Sequence, residues 1–113
     1  MRGDRNRLLD ILESIERIFR HTEPGRAHFE AAELVQIWVI HHIEILGEAA
    51  RGISEALRGR HPEVPWREMM AIRNVLSHRY FGIDVEAVWT TVERDLPRLK
   101  GQLEAILGEL DNE

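Results

Sequence analysis

The feature that most constrains this chain is the spacing of its apolar residues, which recur at intervals of three and four along the sequence and nowhere alternate with period two. Leu8, Leu9, Ile11, Leu12, Ile15, Ile18 and Phe19 make the first such stripe. A 3.6-residue repeat puts them on one face of an amphipathic helix, predicted over residues 4–20. His21 to Arg26, with Pro24 and Gly25, interrupts it. The next stripe predicts one helix from Ala27 to Arg58, about 48 Å long at the usual helical rise. On its wheel Leu34, Trp38, Val39, His42, Ile45, Leu46, Ala49, Ile53 and Leu57 fill a broad apolar arc. His41, Glu44, Glu48, Arg51 and Glu55 lie opposite, and Ile37 falls outside the arc. Gly59, Pro62 and Pro65 mark the next break, and Pro65 suits the first position of a third helix because its missing N–H is not needed there. That helix is predicted from Trp66 to about Tyr80. Phe81-Gly82 stops it, and Asp84 is a good N-cap for a fourth, whose stripe is Val85, Val88, Trp89, Val92, Leu96, Leu99, Leu103, Ile106 and Leu107. Pro97 should bend this last helix, since it removes a hydrogen bond and crowds the carbonyl of Glu93. The expected fold class is all-α, an antiparallel up-and-down four-helix bundle with short loops, forming a single domain over residues 1–113.

Composition narrows what such a bundle can be. A chain of 113 residues buries roughly two thirds of its unfolded surface, enough for one core. It contains no cysteine, which excludes a disulfide framework, a thiolate zinc site and a cysteine nucleophile, and is compatible with a reducing, cytoplasmic setting. The longest pure apolar run, Ile37 to Ile40, is far short of the ~20 residues of a spanning helix, so neither a signal peptide nor a membrane span is expected. A net charge of −5 argues against a general nucleic-acid coat. The positive charge is local, however: residues 51–80 hold six Arg and three Glu for +3, leaving −8 on the remainder. Lys100 is the only lysine, and arginine suits bidentate phosphate recognition, although a compositional habit explains the bias equally well.

The third helix departs from a plain amphipathic pattern. Trp66, Met69, Met70, Ile72, Leu76 and Tyr80 mark its apolar side at about 100° per residue, and Arg73 falls inside that arc. Asn74 and His78, four residues apart, share the adjacent face. Arg73, Asn74 and His78 can therefore line one edge of the helix, with Tyr80 two turns beyond Arg73 on Arg73's own side. These residue types permit metal-independent cleavage of an RNA phosphodiester. A histidine takes the proton of a ribose 2′-hydroxyl or supplies one to the leaving oxygen. An arginine holds the phosphate and stabilises the charge of the transition state by roughly 3 kcal/mol, by analogy with oxyanion-hole donors. One helix supplies one histidine, so a separate acid and base would require a second copy. The same residues equally suit a snorkelling arginine, a solvated asparagine and a histidine that caps the helix end.

The full string Arg73-Asn74-Val75-Leu76-Ser77-His78-Arg79-Tyr80 resembles the Arg, four residues, His, one residue, Tyr signature of HepT-like ribonuclease toxins, within the HEPN superfamily of helical RNA-cleaving domains. Ile45-Leu46-Gly47-Glu48-Ala49-Ala50 is similar to that family's Gly-Glu-Ala stretch. Pro65-Trp66, Ile83-Asp84, Val88-Trp89 and Leu96-Pro97 also sit where the family has them. The resemblance implies a HEPN-like bundle of four to five helices that forms a homodimer with a composite cleft. It implies an endoribonuclease that needs no metal or cofactor, with Arg73 and His78 catalytic and Asn74 supporting. It further implies a toxin–antitoxin pair, in which a minimal nucleotidyltransferase transfers AMP from ATP onto the motif tyrosine, here Tyr80. Tyr80 lies about 10.5 Å along the axis from Arg73 on the same side, so a tyrosyl adenylate would set phosphodiester charge and an adenine beside the cleft. The alternative within the same class is a noncatalytic substrate-binding subunit of a minimal nucleotidyltransferase.

Other residues have simpler readings. His41, Glu44 and Glu48 have helical spacing for a metal, yet zinc sites draw ligands from more than one element, and Glu48 has Arg51 for a surface pair; no metal is predicted. His42, on the apolar arc, reads as a hydrogen-bonded core or interface histidine. Trp38, Trp66 and Trp89 can stack bases but fall on apolar stripes and are expected in the core. Met69 and Met70 read as packing. Arg67 and Arg79 flank the motif as candidate contacts to an RNA backbone. His61 has no evident partner.

Overall fold

The computed structural model describes residues 2–77 and 84–113, with residues 2 and 73–77 described as backbone only. Every element among the described residues is helical: α1 (Arg2–Thr22), α2 (Arg26–Ala31), α3 (Glu33–Arg51), α4 (Glu55–Arg60), α5 (Trp66–Ser77), α6 (Val85–Thr90), a π-helical turn (Thr91–Asp95) and α7 (Leu96–Asp111). The molecule measures 45 × 27 × 20 Å.

The first helix follows its stripe closely, with Leu8, Ile11, Ile15 and Ile18 fully buried. It ends where the Thr22 hydroxyl donates to the Ile18 carbonyl at 2.9 Å and Gly25 takes φ of 100°, a conformation that costs a glycine little. The expected continuous helix over 27–58 is instead three helices. The first break, at Ala32 (φ −112°, ψ 87°), carries no proline or glycine. It is stabilised from a distance in sequence: the Gln36 side chain, itself buried, donates to the carbonyls of Phe29 at 2.8 Å and Glu30 at 3.1 Å, which the break has freed. The bend drives Phe29 into the core with no exposed area and against Trp89.

The second break lies at Gly52, Ile53 and Ser54. Asp4, 4% exposed, reaches across from α1, where its carboxylate accepts the Ser54 N–H at 2.8 Å and the Ser54 hydroxyl at 2.7 Å. The Ser54 oxygen then accepts the Leu57 N–H at 3.2 Å and caps α4. A single acidic side chain thus locks the end of α3 to the start of α1.

α3 is the central element, packed by α1 on one flank and α5 on the other, while α7 lies against α1. Leu46, Val39, Ile43, Ala49, Ala50, Ile53 and Leu57 join the core. Three members of the expected arc do not: Leu34 is 82% exposed, Ile45 37%, and Trp38 is half-buried. The neighbours of α3 cover its two flanks and leave the side bearing these residues facing outward. Trp66 and Trp89 are core residues as expected, whereas Trp38 is only half-buried.

Asp84 caps α6 as the sequence indicates, accepting the Ala87 N–H at 3.0 Å. Pro97 sits in the first turn of α7, directly after the π-helical turn. The widened turn ending at Asp95 lies where Pro97 removes the donor to the Glu93 carbonyl. Ion pairs between Arg5 and Asp111 (2.7 Å) and between Lys100 and Glu16 (3.3 Å) join α1 to α7 at the surface, where water screens them and their contribution is small. Replacing Asp4 with Ala should cost about 1–3 kcal/mol through the two donors of Ser54 left unpaired, read as a lower denaturation midpoint at unchanged slope.

Candidate functional site

The motif helix is positioned at its start and along its first half. At its start, the Trp66 indole N–H donates to the His61 carbonyl at 2.9 Å, and Met69 N–H closes the first turn on the Pro65 carbonyl at 2.9 Å. His61 does have partners: its ring contacts Glu63 at 3.1 Å and Glu109 of α7 at 3.4 Å, tying the proline-rich loop to the last helix. The Glu63 carboxyl is held below the usual carboxylate range by its own backbone N–H, aided by the His61 ring.

The middle of α5 rests on α3 at Gly47. A β-carbon built there would stand 2.9 Å from the Met69 carbonyl oxygen, so only glycine admits this approach without displacing backbone. Ala50, also on α3, is fully buried, and Ala49 nearly so. The glycine of the Gly-Glu-Ala stretch therefore has a packing reason, since it lets the motif helix lie close, and Glu48 beside it is exposed, 3.9 Å from Arg51.

Arg51 and Arg58 converge on Met70, three residues before Arg73. The Arg51 guanidinium donates to the Met70 carbonyl at 3.3 Å, and that of Arg58 reaches its sulfur at 3.5 Å. Neither was placed beside the motif from the sequence, where Arg51 was read only as a surface partner of Glu48, because they belong to different helices and only the break at residues 52–54 turns α4 back toward α5. Together they concentrate positive charge beside the motif helix, where the sequence shows a local excess of arginine.

Arg73 and Asn74 lie within α5 and are described by backbone alone. Position 73 continues the helical line of Trp66 and Met69, 7% and 3% exposed, and position 74 continues that of the exposed Arg67 and Ala71. The motif thus begins at the boundary between a buried and an open line of its helix. His78, Arg79 and Tyr80 lie outside the described residues. Among the described residues no group of three or more His, Cys, Asp or Glu is placed to hold a metal ion, so His41, Glu44 and Glu48 do not gather into one. Among those residues, too, no helix is long and apolar enough to cross a membrane.

Comparison with known proteins agrees with the family resemblance. The family model described as "Ribonuclease HepT-like" matches residues 11–106. The chain is 42% identical over 106 residues to a "Probable ribonuclease HepT" of Thermococcus cleftensis, covering 93% of this chain and 96% of that protein. It is 39% identical over 100 residues to "Putative RNase MJ1380" of Methanocaldococcus jannaschii, covering 88% and 92%. No solved structure matches. The chain belongs to the HepT-like ribonuclease family. Within it, Gly47→Ala should cost about 1–3 kcal/mol, since its new methyl meets a backbone oxygen that cannot rotate away, and thermal unfolding with circular dichroism will measure this.

Proposed function

We propose that this protein is a metal-independent endoribonuclease that cleaves RNA through Arg73, Asn74 and His78. The observation that carries this reading is the intact Arg73-Asn74-x3-His78-x-Tyr80 string in a member of the HepT-like ribonuclease family, two of whose relatives carry ribonuclease names. It is supported by the geometry around α5: the helix is seated on Gly47 and flanked by the guanidinium groups of Arg51 and Arg58. In this mechanism the ribose 2′-oxygen attacks the adjacent phosphorus as its proton leaves, and the bond to the 5′-oxygen breaks as that oxygen gains one. His78 moves one of these protons, Arg73 holds the phosphate through the five-coordinate state, and Asn74 orients them. Arg67 and Arg79 contact the RNA backbone. Separate acid and base require two copies of His78, so the working form is a homodimer of up-and-down bundles with its motif helices facing one cleft.

The same reading makes the protein the toxin of a toxin–antitoxin pair. A minimal nucleotidyltransferase would neutralise it by joining the Tyr80 oxygen to the α-phosphorus of ATP with release of pyrophosphate, setting an anionic phosphodiester within reach of Arg73. A noncatalytic substrate-binding role is the alternative, and the outcomes separate the two. Purified, unmodified protein should cut total RNA in excess chelator, and Arg73→Ala or His78→Ala should lower the rate by about 10²–10⁴-fold without change in folding. Expression alone should arrest growth, and co-expression with the transferase should add AMP to the wild-type chain but not to Tyr80→Phe. Intact RNA from a folded, unmodified dimer would favour the binding role.

A further inference from the structure

Two arginines from different helices meet on one residue of the motif helix. Arg51, at the end of α3, donates to the Met70 carbonyl at 3.3 Å, and Arg58 of α4 reaches the Met70 sulfur at 3.5 Å. Arg67, exposed and three residues before Met70, lies on the same side of α5. Three guanidinium groups therefore share one patch, and charges gathered this closely repel one another unless an anion stands among them.

The chain supplies almost none of that anion. Glu48 stands 3.9 Å from the Nε of Arg51, a loose contact, and among the described residues neither Arg58 nor Arg67 has a carboxylate partner. Residues 73–83 contain no acid, so the motif segment brings none. The Nε of Arg58 is also buried without a hydrogen-bond partner among the described residues, while the side chain as a whole is only half-buried. A charge with one N–H shut away from water is poorly solvated, so an anion at its open end stabilises it more than it would a fully hydrated arginine. Each guanidinium carries more donors than its contact with Met70 uses, in the planar fork that suits phosphate.

The place of this patch on α5 says which phosphate it meets. By helical turn, position 70 falls between the lines of positions 73 and 74 and precedes them by about 5 Å along the axis. That is a span of one to two nucleotides, which rise about 3.4 Å each in a stacked strand. We propose that Arg51 and Arg58, meeting over Met70, form a phosphate subsite that holds a non-scissile phosphodiester of the RNA strand beside the motif. Arg67, on the line of position 74 and one turn further back, continues the same track. A carboxylate on a partner protein would also satisfy two arginines, but it has no reason to stand in register with the motif, whereas phosphates recur along a strand. The subsite binds ground state and transition state alike, so it sets KM and leaves kcat to the motif. What the held strand is there for rests on the ribonuclease reading; the binding itself does not.

Fluorescence anisotropy with a single-stranded oligodeoxynucleotide, which lacks the attacking 2′-oxygen, measures binding apart from cleavage. Arg51→Gln and Arg58→Gln should each raise Kd about tenfold and flatten the slope of log affinity against log salt by about 0.7, and Arg20→Gln, an exposed change at the end of α1 remote from Asp4, should do neither. Arg58→Lys should recover part of the affinity, because it keeps the charge and loses the fork. On an RNA of several phosphates the two Gln variants should raise KM about tenfold with kcat within about twofold. On a dinucleoside monophosphate, whose one phosphate is the scissile one, they should change neither constant. A merely structural role would instead lower kcat on both substrates together with the thermal midpoint. Should Arg58→Gln not fold, Arg51→Gln, with an exposed side chain, carries the test.

An unchanged Kd and salt slope in the folded variants overturns the subsite, as does an equal loss on the dinucleoside monophosphate. Strand binding left intact in variants that no longer capture a nucleotidyltransferase assigns the arginines to a protein partner and overturns it too. Strand binding that depends on both arginines, in a chain that cuts no RNA, leaves the subsite standing and removes the ribonuclease reading. RNA cutting with an unaltered KM in both variants does the reverse.

Discussion

The close backbone approach between the motif helix and the central helix, at Gly47 of α3 and the Met69 carbonyl of α5, is the constraint on which the site depends. Arg73 begins one turn further along α5, so any shift at Met69 is passed to the motif at almost full size. The two arginines on Met70, the Trp66 indole bond and the His61 bridge to α7 all act around this contact, holding the helix from the sides that Gly47 does not touch.

α3 can play this part because it is short enough to be aimed. A continuous helix from 27 to 58 would have run past the core. Breaking it at Ala32 lets Phe29 turn inward, and breaking it at residues 52–54 folds α4 back so that Arg58 reaches α5. Both breaks are held by side chains remote in sequence, Gln36 for the first and Asp4 for the second. The same arrangement leaves one side of α3 outward, with apolar residues and unpaired ring nitrogens together.

Much of this was legible in the sequence, for a definite reason. Helical periodicity reports one-dimensional information, and α1, α5, the cap at Asp84 and the stripe of α7 follow it closely because each buries one face against a fixed neighbour. The motif was legible as a string, and its place on α5 followed from the Pro65-Trp66 start. What periodicity could not report was which neighbour would be absent. Leu34 and Ile45 fit the apolar arc as well as Leu46 does, yet they are exposed, since the arc is wider than the surface that α1 and α5 cover. His42 was legible as a hydrogen-bonded core or interface histidine; it is buried, but neither ring nitrogen finds a partner among the described residues.

The sequence alone therefore determined the helical class, the family, the residues of the motif and the helix that bears them, all of which depend on local spacing and residue type. Only the tertiary structure decided where the long second helix breaks, which arginines stand beside the motif, and which face of α3 is left open. Those outcomes depend on contacts between residues as far apart as Asp4 and Ser54, whose hydrogen bonds form only once the chain has closed on itself.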